Sequence, residues 1–322
     1  MDRPADSVAN DAKNVGRGLL MGAADIVPGV SGGTMALILG IYQRLISAIS
    51  HVDLSLLGHV RERRWADAFA HADGRFLITL AAGIGTGVVS LASLMHHLLE
   101  HEMGLTFGAF FGLILASSWL VARMVGDWTP TCGAAAALGA IFAFWLTGLV
   151  PVVVTPSYGY IFFAGTIAIC AMILPGISGA FVLLIFGVYY HVTGVLKALA
   201  SGSISLDNLA TLVVFGLGCV TGLLIFSRVL RFLLDRAHAL TMAVLCGFMF
   251  GSLRKIWPFK VEIDASVDKD FKERIFENVW PWQSPDGFLL PFAMILVGAA
   301  LVLVLDRVSG GASRQGGVAS GD

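Results

Sequence analysis

Residues 24–42 read ADIVPGVSGGTMALILGIY, and residues 171–189 read AMILPGISGAFVLLIFGVY. At a constant offset of 147 residues Pro28 meets Pro175, Gly29 meets Gly176, Ser31 meets Ser178, Gly32 meets Gly179, Gly40 meets Gly187 and Tyr42 meets Tyr189. The match continues downstream at an offset of 135, where Gly83, Gly87, Thr106, Gly112 and Ser117 fall on Gly218, Gly222, Thr241, Gly247 and Ser252. The chain reads as an internal duplication whose second copy has a loop 12 residues shorter.

Both stretches lie in apolar regions, about 18–50 and 157–200, that are too long for one membrane crossing and are broken near the middle by Pro-Gly. Six further stretches, near 76–95, 104–123, 131–151, 209–230, 239–256 and 288–306, are long and apolar enough to cross a hydrocarbon core of roughly 30 Å. Composition agrees: 57% of the 322 residues are hydrophobic, 13% are charged, and mean hydropathy is +0.81. A water-soluble globule is excluded, because soluble domains carry about twice that charged fraction. A net charge of -1 gives no basic field for nucleic acid. The predicted fold class is an all-α polytopic membrane protein, an inverted-topology repeat with two Pro-Gly re-entrant hairpins and about six full transmembrane helices. Its expected divisions are an N-terminal segment 1–17, repeat 1 over 18–125, a connecting helix 131–151 and repeat 2 over 157–257. A polar outer loop 258–287, a final helix 288–307 and a tail 308–322 complete the chain.

Charge bias sets the relative orientation. The loop after the first break carries Arg61, Arg63, Arg64 and Arg75, and its counterpart after the second carries only Lys197. The next loop has Glu100 and Glu102 without Lys or Arg in copy one, but Arg228, Arg231 and Arg236 in copy two. Both comparisons change sign, as inversion requires, and crossing parity puts both termini on the cytoplasmic face. Residues 252–287, with six Lys or Arg and seven acids, are expected outside and run against that bias. No cleaved signal peptide is expected, and Val8, Ala12, Val15 and Leu19 recur at helical spacing, which suits an interfacial amphipathic helix over 6–20.

Irregular backbone survives at membrane depth only where protein buries it or a polar cavity receives it. Pro28 and Pro175 end the incoming helices, the glycines allow a tight turn, and new helices start near Ser31 and Ser178 with free N–H groups. Such a start favours an anion, and paired interrupted helices in two inverted halves point to a transporter's substrate site. The expected phosphate or substrate contacts are Pro28, Gly29, Ser31, Gly32, Gly33, Thr34, Pro175, Gly176, Ser178 and Gly179. The alternative reading makes the breaks packing kinks.

Asp25, matched by Met172 in copy two, is read as a coupling or charge-partner residue or as a helix cap. Arg44 lies at the expected cytoplasmic mouth, as a phosphate attractor or a snorkelling interface residue. Arg123, Arg228 and Arg231 read as topology signals, and His96, His97 and His101 with Glu100 and Glu102 as a solvated outer loop. Trp257, Trp280 and Trp282 suit an interfacial belt, and the GxxxG pairs suit close helix packing. Cys132, Cys170, Cys219 and Cys246 form neither a CxxC nor a metal pattern, so no metal and no cofactor is expected. An intramembrane serine protease would need a histidine near Ser31 or Ser178, and His191 lies 13 residues from Ser178 on the same helix, roughly 19 Å away. A channel or transporter for a small soluble anion shares every feature of the hairpins.

The stretches ADIVPGVSGGTMALILGIY and MILPGISGAFVLLIFGVY, with the inverted halves around them, resemble the undecaprenyl phosphate translocase family over about residues 15–307. The resemblance implies no enzyme. It implies a flippase of the bacterial cytoplasmic membrane that returns undecaprenyl phosphate, a polyprenyl-phosphate lipid, from the outer to the inner leaflet for cell-envelope synthesis by alternating access. Its partners would be that lipid and the surrounding membrane lipids, with no nucleic acid; a homodimer is compatible with it. Amides around Ser31 to Thr34 and around Ser178 to Ala180 would cradle the phosphate. Copy two lacks the acid, one glycine and the threonine, at Met172, Ala180 and Phe181, so the first hairpin is expected to hold the phosphate more strongly.

Overall fold

A computed structural model describes residues 8–27, 30–150, 152, 154–203, 205–262, 276–284 and 287–315. The helices of the first half are α1 (Val8–Ile26), α2 (Gly32–Ile38), α3 (Tyr42–Ser50), α4 (Leu54–Arg61), α5 (Trp65–His71), α6 (Gly74–His101), α7 (Met103–Met124) and α8 (Pro130–Leu146). Those of the second half are α9 (Tyr158–Ile173), α10 (Gly179–Ile185), α11 (Tyr189–Ala200), α12 (Leu206–Arg236), α13 (His238–Ser252) and α14 (Leu289–Gln315). A short antiparallel ribbon of β1 (Lys260–Glu262) and β2 (Phe276–Asn278) precedes α14, with Val261 opposite Glu277.

Glycine sets the helix pairing, because a residue without Cβ lets backbones approach closely where lipid supplies no hydrophobic drive. α1 lies along α6, where Gly83 and Gly87 meet the carbonyls of Val15 and Leu19; α9 lies along α12, where Gly218 and Gly222 meet those of Phe162 and Thr166. The other two GxxxG pairs join each copy to a helix outside the two repeats. Gly112 of α7 faces the Ile295 carbonyl of α14, and Gly247 of α13 faces the Ala136 carbonyl of α8. The helix that follows each copy is therefore exchanged onto the other copy. α7 also packs on α13, and α3 on α12. Between them lies the core, with Val27, Ala36, Ile46, Ile114, Met242, Leu245 and Met249 all below 2% exposed. Outward the helices present Ile78, Val89, Leu138, Ile141, Val213, Leu217 and Leu296, an apolar surface that only lipid would solvate.

Three of the six expected spans, α6, α7 and α12, are long enough and apolar enough to cross a bilayer. α8, α13 and the apolar part of α14 (Leu289–Val304) are shorter apolar helices, and α13 has only 15 residues. α1 is continuous from Val8 to Ile26, with Asn14, Gly18, Met21 and Gly22 buried, so residues 8–20 belong to the helix that leads into the first break and form no separate helix. His96, His97 and His101, expected in a loop, end α6; the His96 ring lies 3.3 Å from the Glu100 carboxylate.

Both broken regions bend at the same place. Gly40 and Gly187 have φ of +67° and +68°, which a residue with Cβ adopts only under strain, and α10 and α11 meet at 110°. Gly112→Val tests the exchanged contact: its branch would collide with the Ile295 carbonyl and cost about 1–3 kcal/mol or more. Thermal unfolding in detergent should fall by several degrees for this variant. Gly85→Val, at a position with no heavy atom within 4 Å of a built Cβ, should leave it unchanged.

Candidate functional site

α1 ends at Ile26 and α2 starts after Ser31; Pro28 and Gly29 fall outside the described residues. Ser31 has extended backbone, φ −134° and ψ 149°, and its Oγ accepts from the Thr34 amide at 3.2 Å, an N-cap. In the second copy α9 ends at Ile173 and Gly176 takes φ +86°. Ser178 caps α10 by accepting from the Phe181 amide at 3.4 Å.

The two breaks touch. The Gly176 amide donates to Thr34 Oγ1 at 2.8 Å, Ser31 Oγ donates to the Leu174 carbonyl at 3.3 Å, and the Tyr42 hydroxyl donates to the Ile173 carbonyl at 3.1 Å. Ser31 Oγ and Thr34 Oγ1 lie 3.1 Å apart. Fixed groups at both ends decide the direction of this chain. Gly176 can only donate and Leu174 O can only accept, so the hydroxyl protons run from Thr34 to Ser31 to the carbonyl. These three bonds between the breaks use side chains of copy one and backbone of copy two. Part of the reason is visible in the alignment: Phe181 stands where Thr34 would recur, so copy two lacks the hydroxyl that takes the Gly176 amide, and its matched Ser178 Oγ accepts from the Phe181 amide within its own segment.

Asp25 reaches forward within its own hairpin, its Oδ1 accepting the Gly32 amide at 2.6 Å. It is half-buried and caps the start of α2, the cap reading made beside the coupling one. The expectation of unpaired amides at both helix starts is thereby corrected. Short polar side chains nearby outcompete empty space, so Gly32 is held by Asp25, Thr34 by Ser31, Phe181 by Ser178 and Gly176 by Thr34. Among the described residues, the amides of Gly33, Gly179 and Ala180 keep no protein acceptor.

The glycines differ in what they face. A Cβ on Gly32 would lie 2.8 Å from Asp25 Oδ2 and one on Gly179 2.7 Å from the Ala168 carbonyl, each within its own hairpin. A Cβ on Gly33 would strike the Ile173 carbonyl of the other hairpin. Pro175 precedes the Gly176 turn and shares this junction through Leu174 and Gly176. Arg44 is held apart from it: its guanidinium grips Asp73 at 2.7 and 3.1 Å and stacks 4.3 Å over Phe76, at the start of α6. Tyr42 was missed as a junction residue, although its match with Tyr189 was the available signal.

The family model for undecaprenyl phosphate translocase-like proteins matches residues 21–273, a stretch that contains both breaks. The chain belongs to this family. It is 40% identical over 299 residues to a polyprenyl-phosphate transporter of Vibrio cholerae, covering 90% of this chain and 94% of that one. It is 32% identical over 257 residues to a polyprenyl-phosphate transporter of Staphylococcus aureus, covering 76% and 86%. No solved structure matches it. This member of the family is a helical, multi-pass membrane protein with its two broken segments joined side by side.

Proposed function

We propose that this protein carries a polyprenyl phosphate, undecaprenyl phosphate above all, from the outer to the inner leaflet of a bacterial cytoplasmic membrane, with the phosphate passing the junction of the two hairpins. The names of its relatives support the substrate. The observation that carries the site is a set of hydroxyls and amides joining two hairpins inside an apolar shell. The copies are inverted repeats and each hairpin re-enters from its own side. Domain limits follow that reading, with the connecting and final helices exchanged between the halves.

Alternating access then has a concrete requirement. One half can rock against the other only when the bonds Thr34 to Gly176, Ser31 to Leu174 and Tyr42 to Ile173 open. A phosphate is rich in acceptor oxygens. It takes the Gly176 amide and the Ser31 and Thr34 hydroxyl protons in exchange, and finds the amides of Gly33, Gly179 and Ala180 as well. Hydrogen bonds exchange for hydrogen bonds, each worth about 0.5–1.5 kcal/mol net, so opening is costly without the ligand and nearly neutral with it. The isoprenoid tail stays in lipid.

Asp25 sets the charge balance. Its carboxylate and the phosphate compete for the Gly32 amide, and two like charges about 4–6 Å apart repel by about 3–4 kcal/mol at an effective dielectric near 20. Asp25→Asn keeps an acceptor for that amide and removes the repulsion. Polyprenyl phosphate binding should tighten roughly tenfold, and the pH profile of transport should flatten; weakened binding or an unchanged profile ends this role.

The test of the whole reading is translocation of a polyprenyl phosphate in proteoliposomes with and without a proton gradient, beside lipid mass spectrometry of the purified protein. Protein-dependent movement and a retained polyprenyl phosphate are expected. Absence of such a lipid, together with saturable uptake of a soluble anion, would replace the carrier with the soluble-anion transporter.

A further inference from the structure

The two halves differ most just beyond their matched serines. Ser117 lies inside α7, which continues to Met124, whereas its counterpart Ser252 is the last residue of α13. The chain turns there, the Lys255 amide donating to the Ser252 carbonyl at 2.8 Å, and passes through buried Ile256 and Phe259 into β1. This departure keeps to the second hairpin. Ser252 Oγ would be 2.9 Å from a Cβ on Gly176, the turn residue of the second break.

Two ammonium groups arrive with the turn. Lys255 Nζ sits 4.2 Å over the ring of Phe181, in the first turn of α10. Lys260, at 8% exposure, donates to the Lys255 carbonyl at 2.6 Å and lies 4.7 Å over the ring of Phe107 on α7. Neither lysine forms an ion pair with a carboxylate among the described residues. Arg254 beside them is committed elsewhere, to the ring and carbonyl of Phe144.

A buried cation such as Lys260 is expensive without an anion, by several kcal/mol, and the half-buried Lys255 adds like charge beside it; ring faces with one carbonyl return only part of that cost. Burial, with the like charge of Lys255 beside it, pushes the Lys260 ammonium down to about 7. An anion brought between the two would recover the cost. The second hairpin is also free of the opposing charge: Met172 stands where the first has Asp25.

We propose that Lys255 and Lys260 form a phosphate-binding subsite beside the second hairpin, recognising the dianionic phosphate monoester that the carrier lipid presents. The subsite rests on the proposed lipid-phosphate substrate. It makes the second hairpin the stronger holder of the headgroup, opposite to the expectation from the hairpin motifs alone. Phosphate passing the junction moves between a half that repels it, at Asp25, and a half that attracts it, at the lysines.

The experiment measures binding of farnesyl phosphate, inorganic phosphate and farnesol to the purified full-length protein by calorimetry, for wild type, Lys255→Met, Lys260→Met and the two Lys→Arg variants. Each Lys→Met change should weaken farnesyl phosphate binding about tenfold or more and leave farnesol unchanged, while Lys→Arg keeps most of the affinity. Thermal unfolding controls for misfolding: Lys260→Met loses a buried charge and should unfold no earlier than wild type, and farnesyl phosphate should stabilise wild type and the Lys→Arg variants more than the Lys→Met variants. Lys→Met variants that bind farnesyl phosphate within about twofold of wild type overturn the subsite. Wild type that binds inorganic phosphate through these lysines but no farnesyl phosphate keeps the subsite and overturns the lipid reading. Wild type that binds neither anion overturns both.

Discussion

Gly33→Val should abolish polyprenyl phosphate transport while the protein remains inserted. The new side chain has no room to yield, because its first carbon would meet the Ile173 carbonyl and lie 3.0 Å from that of Met172, both rigid backbone of the other hairpin. Separating two packed backbones by even an ångström costs on the order of 1–3 kcal/mol, and it would stretch the Thr34 to Gly176 bond, now 2.8 Å. Transport in proteoliposomes is expected to fall by at least about tenfold, the equivalent of 1.4 kcal/mol. Gly32→Val should act more mildly, since its first obstacle is the movable Asp25 side chain. Equal loss in both variants, or normal transport in Gly33→Val, would remove the inter-hairpin contact from the mechanism.

Thr34→Val should have the second largest effect, for an electrostatic reason. Valine nearly preserves the shape of threonine but leaves the buried Gly176 amide without its acceptor and breaks the proton chain to Ser31. An unsatisfied buried donor costs about 1–3 kcal/mol, so thermal unfolding in detergent should shift down by several degrees and transport should drop about tenfold. Thr34→Ser keeps the hydroxyl and should restore both. If Thr34→Ser is as defective as Thr34→Val, the methyl group matters and the hydroxyl does not.

Much of this was legible in the residues. The repeated Pro-Gly-x-Ser-Gly, the offset of 147 and the glycine pairs are local signals, and they marked the breaks, the helix starts near Ser31 and Ser178 and the close packing at Gly83, Gly87, Gly218 and Gly222, whereas the capping by the two serines was read only from the structure. Asp25 was legible as an unusual acid, but its choice of partner depended on the chain folding back to bring the Gly32 amide within 2.6 Å. Arg44 shows the same limit. Its position on α3 followed from helical spacing, whereas Asp73, its partner at the start of α6, is 29 residues away.

The sequence by itself determined where hydrocarbon-compatible helices form and where they must break, because apolar runs, proline and glycine act through bonds and neighbours a few residues apart. Only the tertiary structure decided which amides are occupied, that α8 and α14 exchange between the halves, and that the end of α13 carries two lysines to the second hairpin. Those outcomes depend on which backbone surfaces approach closely and which polar groups then find a partner, a property of the packed whole that no window of residues contains.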